Sequence, residues 1–279
     1  MSAPFRNGKW DFYAWYSPKQ RMPDWLRCPN YAKISQEASR KGWGSLKKII
    51  QPGALFKGAS FSSVKKPTKQ FHIKNIVILG DSVAYGYGTK GGIAKHLKET
   101  FAESKVTNLG INGLTSNGLI DRLRSGSWDR YIASADLVLL NIGGNDLLRG
   151  FRAEGAKGLI RQFNNLKRTY RKNLLETYKH IRYLNNNALI VQNNLYNSMK
   201  KEYQYFGFTN LLFRLWNTAI GEKGVIISRT DIMGKNPSIW LDSIHPNEEG
   251  YELMHELLLK TLSATGVVIH SEEPAEERI

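Results

Sequence analysis

The chain has 279 residues, 40 Lys/Arg against 24 Asp/Glu, a net charge of +16, 41% hydrophobic and 23% charged residues, which fits a folded globular protein. No apolar run approaches the roughly 18 residues of a membrane-spanning helix, and the single cysteine, Cys28, excludes an internal disulfide. The first ten residues lack the apolar stretch of a secretory signal, so the expected location is the cytoplasm.

The charge is uneven. Residues 1–74 hold 15 Lys/Arg and 3 Asp/Glu, whereas the remaining 205 hold 25 and 21. Within residues 1–70, Trp10, Tyr13, Trp15, Tyr16, Trp25 and Trp43 lie among prolines and lysines. Two readings of this extension stand: an arm that contacts an anionic surface, or a wrap that buries its aromatics on the following domain. Pro52 to Lys69 reads as a linker. The expected organisation is an extension over 1–70, a catalytic domain over 71–270, and an acidic tail over 271–279.

From Asn75 the pattern becomes regular. Asn75–Leu79 is short, apolar and β-branched, as in a buried parallel strand. Gly80-Asp81-Ser82 follows, then a glycine-rich turn, then a helix from Ile93 to about Ser104 with Ile93, Leu97 and Phe101 on one face. A second strand is expected near Val106–Leu109. The turn Gly110–Gly113 leads into a helix through Leu119, Ile120 and Leu123. Asp136–Ile142 reads as a third strand, ending in Gly143-Gly144-Asn145-Asp146. A long basic amphipathic helix is expected from Leu159 to about Tyr183, and a fourth strand over Ala188–Val191. An aromatic stretch runs from Tyr196 to Trp216, with Phe213 and Trp216 assigned to the core. Val225–Ile227 is the fifth strand, and Asn247 is placed to cap a last helix running to about Leu262. Strands alternating with helices imply βαβ units and a parallel sheet covered on both faces.

A parallel sheet gathers the carboxyl ends of its strands on one edge, so residues far apart in sequence meet there. Four turns bring candidates to that edge: Ser82, Gly113, Asn145, and the pair Asp242 and His245. Serine is a weak nucleophile without a base. Histidine ordinarily changes charge near neutrality and suits that task. Asp242, three residues before His245, is spaced to hold the other ring nitrogen. The N–H groups of Ser82 and Gly113 and the amide of Asn145 are candidate oxyanion donors. Gly110 competes with Gly113 for that role.

Gly80-Asp81-Ser82, Asn108–Gly113, Gly143-Gly144-Asn145-Asp146 and Asp242-Ser-Ile-His245-Pro246 resemble, in order, the four motif blocks of the SGNH (GDSL) hydrolase superfamily. The resemblance covers about Asn75 to Leu262. It implies a flavodoxin-like three-layer α/β/α sandwich that hydrolyses esters or thioesters without a metal or cofactor. It also implies Ser82 as nucleophile, Gly113 and Asn145 in the oxyanion hole, and Asp242 and His245 completing the triad. Val83-Ala84 departs from the family's usual first block and is expected to alter the pocket floor. The implied substrates are lipid or other small-molecule esters, with carbohydrate O-deacetylation as the alternative. A second class of function is a non-catalytic module binding an anionic surface. Gly86-Tyr-Gly88-Thr-Lys-Gly91 matches a dinucleotide fingerprint in letters only, because the strand ends too early for it. No specific nucleic acid partner is expected.

Overall fold

The computed structural model describes residues 73–264 together with Phe5–Arg6 and Lys9–Trp10. By compactness the chain divides into two units, Met1–Lys66 and Pro67–Ile279. In the first, Phe5–Arg6 pairs antiparallel with Lys9–Trp10. The expected linker, the other aromatics of the extension and the acidic tail lie outside the described residues.

The second unit is built on five strands: β1 (Asn75–Gly80), β2 (Lys105–Asn108), β3 (Leu137–Asn141), β4 (Leu189–Asn193) and β5 (Val225–Ser228). All pair in parallel in the order β2-β1-β3-β4-β5. In the central pair Ile76 lies opposite Leu137 and Gly80 opposite Asn141. That register puts the Gly80-Asp81-Ser82 turn beside the end of β3.

Alternate residues of the strands feed opposite layers, as the pleat requires. Val77, Leu79, Val138, Leu140 and Ile190 pack toward α3 (Ser116–Arg124), α5 (Gly144–Leu184) and α6 (Phe206–Asn217). Ile76, Ile78, Leu137, Leu139 and Val191 pack toward α2 (Ile93–Thr100) and α7 (Glu248–Ala264). The result is the three-layer α/β/α sandwich with flavodoxin-like strand order. Trp216 is fully buried, and Phe213 packs partly buried against the same core. Asn247 caps α7, its Oδ1 accepting from Gly250 N at 3.0 Å.

Several elements differ from the sequence expectation. One turn of helix, α1 (Ser82–Tyr85), follows Asp81 directly, and a short α4 (Asp129–Ala133) precedes β3. Helix α2 stops at Thr100 rather than near Ser104. The Ser104 hydroxyl donates to Ile73 O at 2.5 Å and Lys105 N to Lys74 O at 2.7 Å, which draws the chain into β2. Helix α5 begins at Gly144, not Leu159, but Gly155 (φ 65°, ψ −166°) breaks it, so the expected continuous helix is its second part. Among the described residues, no helix is long and apolar enough to cross a membrane.

Candidate active site

Gly80 closes β1 with φ +145°, and a Cβ there would lie 2.0 Å from Asn141 O. Only glycine lets the strand end approach β3 so closely. The next amide, Asp81 N, donates to that same carbonyl at 3.0 Å. Asp81 then caps α1, its Oδ1 accepting from Val83 N at 3.0 Å. Ser82 is thereby the first residue of a helical turn, with its side chain at the sheet's carboxyl edge.

His245 arrives on a closed loop. Trp240 bridges Pro246 antiparallel, and Leu241 N donates to His245 O at 2.9 Å. Inside the loop Asp242 Oδ1 accepts from Ile244 N and His245 N, both at 2.8 Å. Its Oδ2 lies 2.7 Å from His245 Nδ1, and His245 Nε2 lies 2.9 Å from Ser82 Oγ. Burial pushes the Asp242 carboxyl upward. The hydrogen bonds from the His245 ring and the two backbone amides outweigh it, so its pKa falls below the usual value. An ionised carboxylate only accepts, so Nδ1 carries the imidazole proton and Nε2 accepts the Ser82 hydroxyl. The Tyr87 ring lies against the imidazole, centroids 4.4 Å apart. Tyr196 Oη donates to Ile244 O at 2.9 Å, and Ser198 Oγ to Ser243 O, holding the loop from outside.

The other candidate donors come from two stitched loops. Gly113 has φ +76° with open space where a Cβ would stand, so conformation and not crowding calls for glycine. Gly110 is different: its N–H is bonded to Asn108 Oδ1 at 2.9 Å, and a Cβ would strike the backbone of Tyr85 at 2.3 Å. Gly110 is thus a packing residue under α1. Asn145, in the first turn of α5, donates one amide hydrogen to Leu114 O at 3.0 Å and keeps a second. Asp146 accepts from Ser116 N at 3.0 Å and Ser116 Oγ at 2.5 Å, clamping α3 to α5. Burial raises the Asp146 carboxyl despite those bonds.

A sequence model of the GDSL-like Lipase/Acylhydrolase family matches residues 78–253, well over half of the chain. This chain belongs to that family. The GDSL hydrolase is accordingly a carboxylic ester hydrolase. It is 26% identical over 211 residues to the uncharacterized protein YpmR of Bacillus subtilis (strain 168), covering 69% of this chain and 82% of that one. The fold is similar to that of the lipase Lip_vut3 from a goat rumen metagenome, with TM-score 0.59 and 20% identity over 67% of this chain and 97% of that one. It is also similar to a variant of Axe2, an acetyl xylan esterase from Geobacillus stearothermophilus, with TM-score 0.51 and 19% identity over 71% and 97% of the two chains.

Sequence reading missed the polar chain beneath Ser82 of this GDSL hydrolase. Asp81 is 3% exposed; Asn141 Nδ2 donates to its Oδ1 at 3.2 Å, and Asn193 Nδ2 reaches Asn141 Oδ1 at 3.3 Å. The available signal was that both asparagines sit at the ends of apolar strands. Burial raises the Asp81 carboxyl from 3.8 to about 6, opposed by Val83 N, Asn141 and the attraction of His245. A carboxyl raised on folding contributes its full stability below the unfolded pKa, and that contribution is lost as pH rises through the folded pKa. The window here runs from about 3.8 to about 6. Asp81→Asn keeps the acceptor for Val83 N and removes the buried charge. It is expected to raise unfolding free energy at pH 8 by up to about 3 kcal/mol, with most of the gain gone at pH 4. Urea unfolding at both pH values checks this, and an equal gain at both contradicts it.

Proposed function

We propose that this GDSL hydrolase cleaves carboxylic esters or thioesters through a Ser82–His245–Asp242 triad and an acyl-enzyme, in a catalytic domain spanning about residues 71–270. The observation that carries the reading is the 2.9 Å approach of His245 Nε2 to Ser82 Oγ, with Asp242 on the other ring nitrogen. Ser82 Oγ attacks the acyl carbonyl as its proton passes to Nε2. The tetrahedral oxyanion is held by the N–H groups of Ser82 and Gly113 and the free amide hydrogen of Asn145. Collapse expels the alcohol or thiol, which takes the proton from His245. Water, deprotonated by His245, then attacks the acyl carbon and releases the acid. Asp242 keeps the imidazole oriented and stabilises it when charged.

An activity-based fluorophosphonate tests the nucleophile, because it phosphonylates only an activated serine. Labelling of Ser82 supports the reading; an unlabelled folded protein overturns it and favours a non-catalytic surface-binding module. Substrate class is read by hydrolysis of p-nitrophenyl acetate, butyrate, octanoate and palmitate alongside acetylated sugars. Acyl chains longer than acetate are expected to be preferred, and a preference for acetylated sugars indicates an O-deacetylase instead. Asn145→Ala is expected to lower kcat by about 100- to 1,000-fold with KM nearly unchanged, measured on the best ester. A change confined to KM would remove Asn145 from the oxyanion hole.

A further inference from the structure

The aromatic stretch after β4 leaves α6 with two apolar faces. One packs inward: Trp216 is fully buried and stacks on Tyr170 with ring centroids 4.8 Å apart. The other faces water. Phe208 is 39% exposed, Leu211 52% and Leu215 44%. At helical spacing these three fall within about 60° of arc, a continuous stripe on a helix of 12 residues. An isolated exposed leucine needs no explanation, but an aligned stripe of three large side chains on one helix does.

The stripe has a basic border. Arg214 is exposed on the same helix, and Lys200 and Lys201 are exposed in the loop that leads into it. Past its far end a groove of about 420 Å³ runs between α5 and the residues that follow α6, lined by Asn164, Lys167, Arg168, Arg171, Thr218 and Ala219. Arg171 is paired with Glu222 at 2.8 Å. Lys167 and Arg168 instead meet neutral oxygens, Thr218 Oγ1 and Asn165 Oδ1. Neither has a carboxylate partner among the described residues. An apolar helix face edged by uncompensated cations has the chemistry of an interfacial helix on anionic lipid.

We propose that α6 docks the protein on an anionic lipid surface, with Phe208, Leu211 and Leu215 entering the acyl boundary and Lys167, Arg168 and Arg214 meeting phosphate headgroups. Charge decides against a second copy, which would set one basic border against another. The position also suits a hydrolase. In a parallel sheet the helix after β4 starts at the carboxyl edge, so the Phe208 end of the stripe lies on the side that holds Ser82. The loop between β4 and α6 is hydrogen-bonded through Tyr196 and Ser198 to the backbone of Ile244 and Ser243, between Asp242 and His245. Binding itself does not depend on catalysis, so the proposal stands or fails separately from the triad.

The test is co-sedimentation of the intact chain with vesicles of phosphatidylglycerol mixed with phosphatidylcholine, and with phosphatidylcholine alone. Binding is expected only with the anionic lipid and is expected to weaken with added salt. Leu211→Ser with Leu215→Ser should weaken it at least about tenfold. Lys167→Gln with Arg168→Gln should weaken it several-fold and flatten the salt dependence. Both double variants should hydrolyse a soluble short-chain ester at the parental rate, which also shows that they are folded. If the leucine pair fails to fold, the Lys167/Arg168 pair alone decides. Unchanged vesicle binding in the variants would assign the attraction to the basic extension and overturn the proposal. Conversion of a dimer to a monomer by the leucine pair, with vesicle binding unaltered, would assign the stripe to a second copy and overturn it equally.

Discussion

Ser82→Ala is expected to lower kcat by on the order of a millionfold and to abolish fluorophosphonate labelling, leaving a folded protein. The size follows from the proposed mechanism. Without Oγ there is no covalent intermediate, and the His245 Nε2 that accepted the hydroxyl at 2.9 Å has only water to activate. What remains is the contribution of binding and the oxyanion donors, about a thousandfold or more over water. Stability should change little, because among the described residues Ser82 Oγ bonds only to His245, whereas the turn is held by Asp81 and Asn141. A typical surface-like change of this kind stays within about 0.5 kcal/mol. The measurement is kcat on the preferred p-nitrophenyl ester together with thermal unfolding. An alanine variant that retains a tenth of the activity would mean that another group attacks the ester, and the triad reading would be lost.

The elements that were legible in the sequence share one cause: a strong, uniform pattern. Asn75–Gly80 and Leu137–Asn141 are nearly pure Ile/Val/Leu because both sheet faces are covered, and each has one buried residue after another. The glycines and prolines between such runs mark turns, and in a parallel sheet those turns share an edge. That geometry is why Ser82 and the Asp242–His245 loop, far apart in the chain, meet within hydrogen-bond distance.

What was hidden has equally specific causes. The start of α5 lacks apolar periodicity because Gly150, Gly155 and Gly158 interrupt it and Gly155 breaks it, so only the part after Leu159 shows a helical stripe. Helix α6 was masked by excess. In Phe206–Asn217 apolar residues occupy two faces and leave only a narrow polar strip of Asn210, Arg214 and Asn217, so the period is weakly marked, and the three exposed ones resemble core until the packing is known. Helix α1 is a single turn, too short for any periodicity. Gly110 and Gly113 are both turn glycines in sequence; only the coordinates separate them, Gly110 by its bonded N–H and its close approach to Tyr85, Gly113 by its φ of +76° and open surroundings.

Asp242→Asn is expected to lower kcat by on the order of 10,000-fold while leaving the loop folded. The argument rests on how the carboxylate is held. Oδ1 accepts two backbone N–H groups at 2.8 Å, so the asparagine that replaces it must keep its carbonyl oxygen there. Its NH2 group is then forced toward His245 Nδ1. A donor in that position moves the imidazole proton to Nε2, where it faces Ser82 Oγ and cannot accept the hydroxyl proton. The side chain is nearly isosteric and the two backbone bonds survive, so unfolding by urea should shift by about 1–2 kcal/mol at most. Because serine and aspartate act through the same proton transfer in the proposed mechanism, adding Asp242→Asn to Ser82→Ala should cause almost no further loss. If the two losses instead multiplied, Asp242 would be acting elsewhere than through His245. A mere fivefold decrease in the single variant would show that the imidazole finds its working tautomer without the carboxylate.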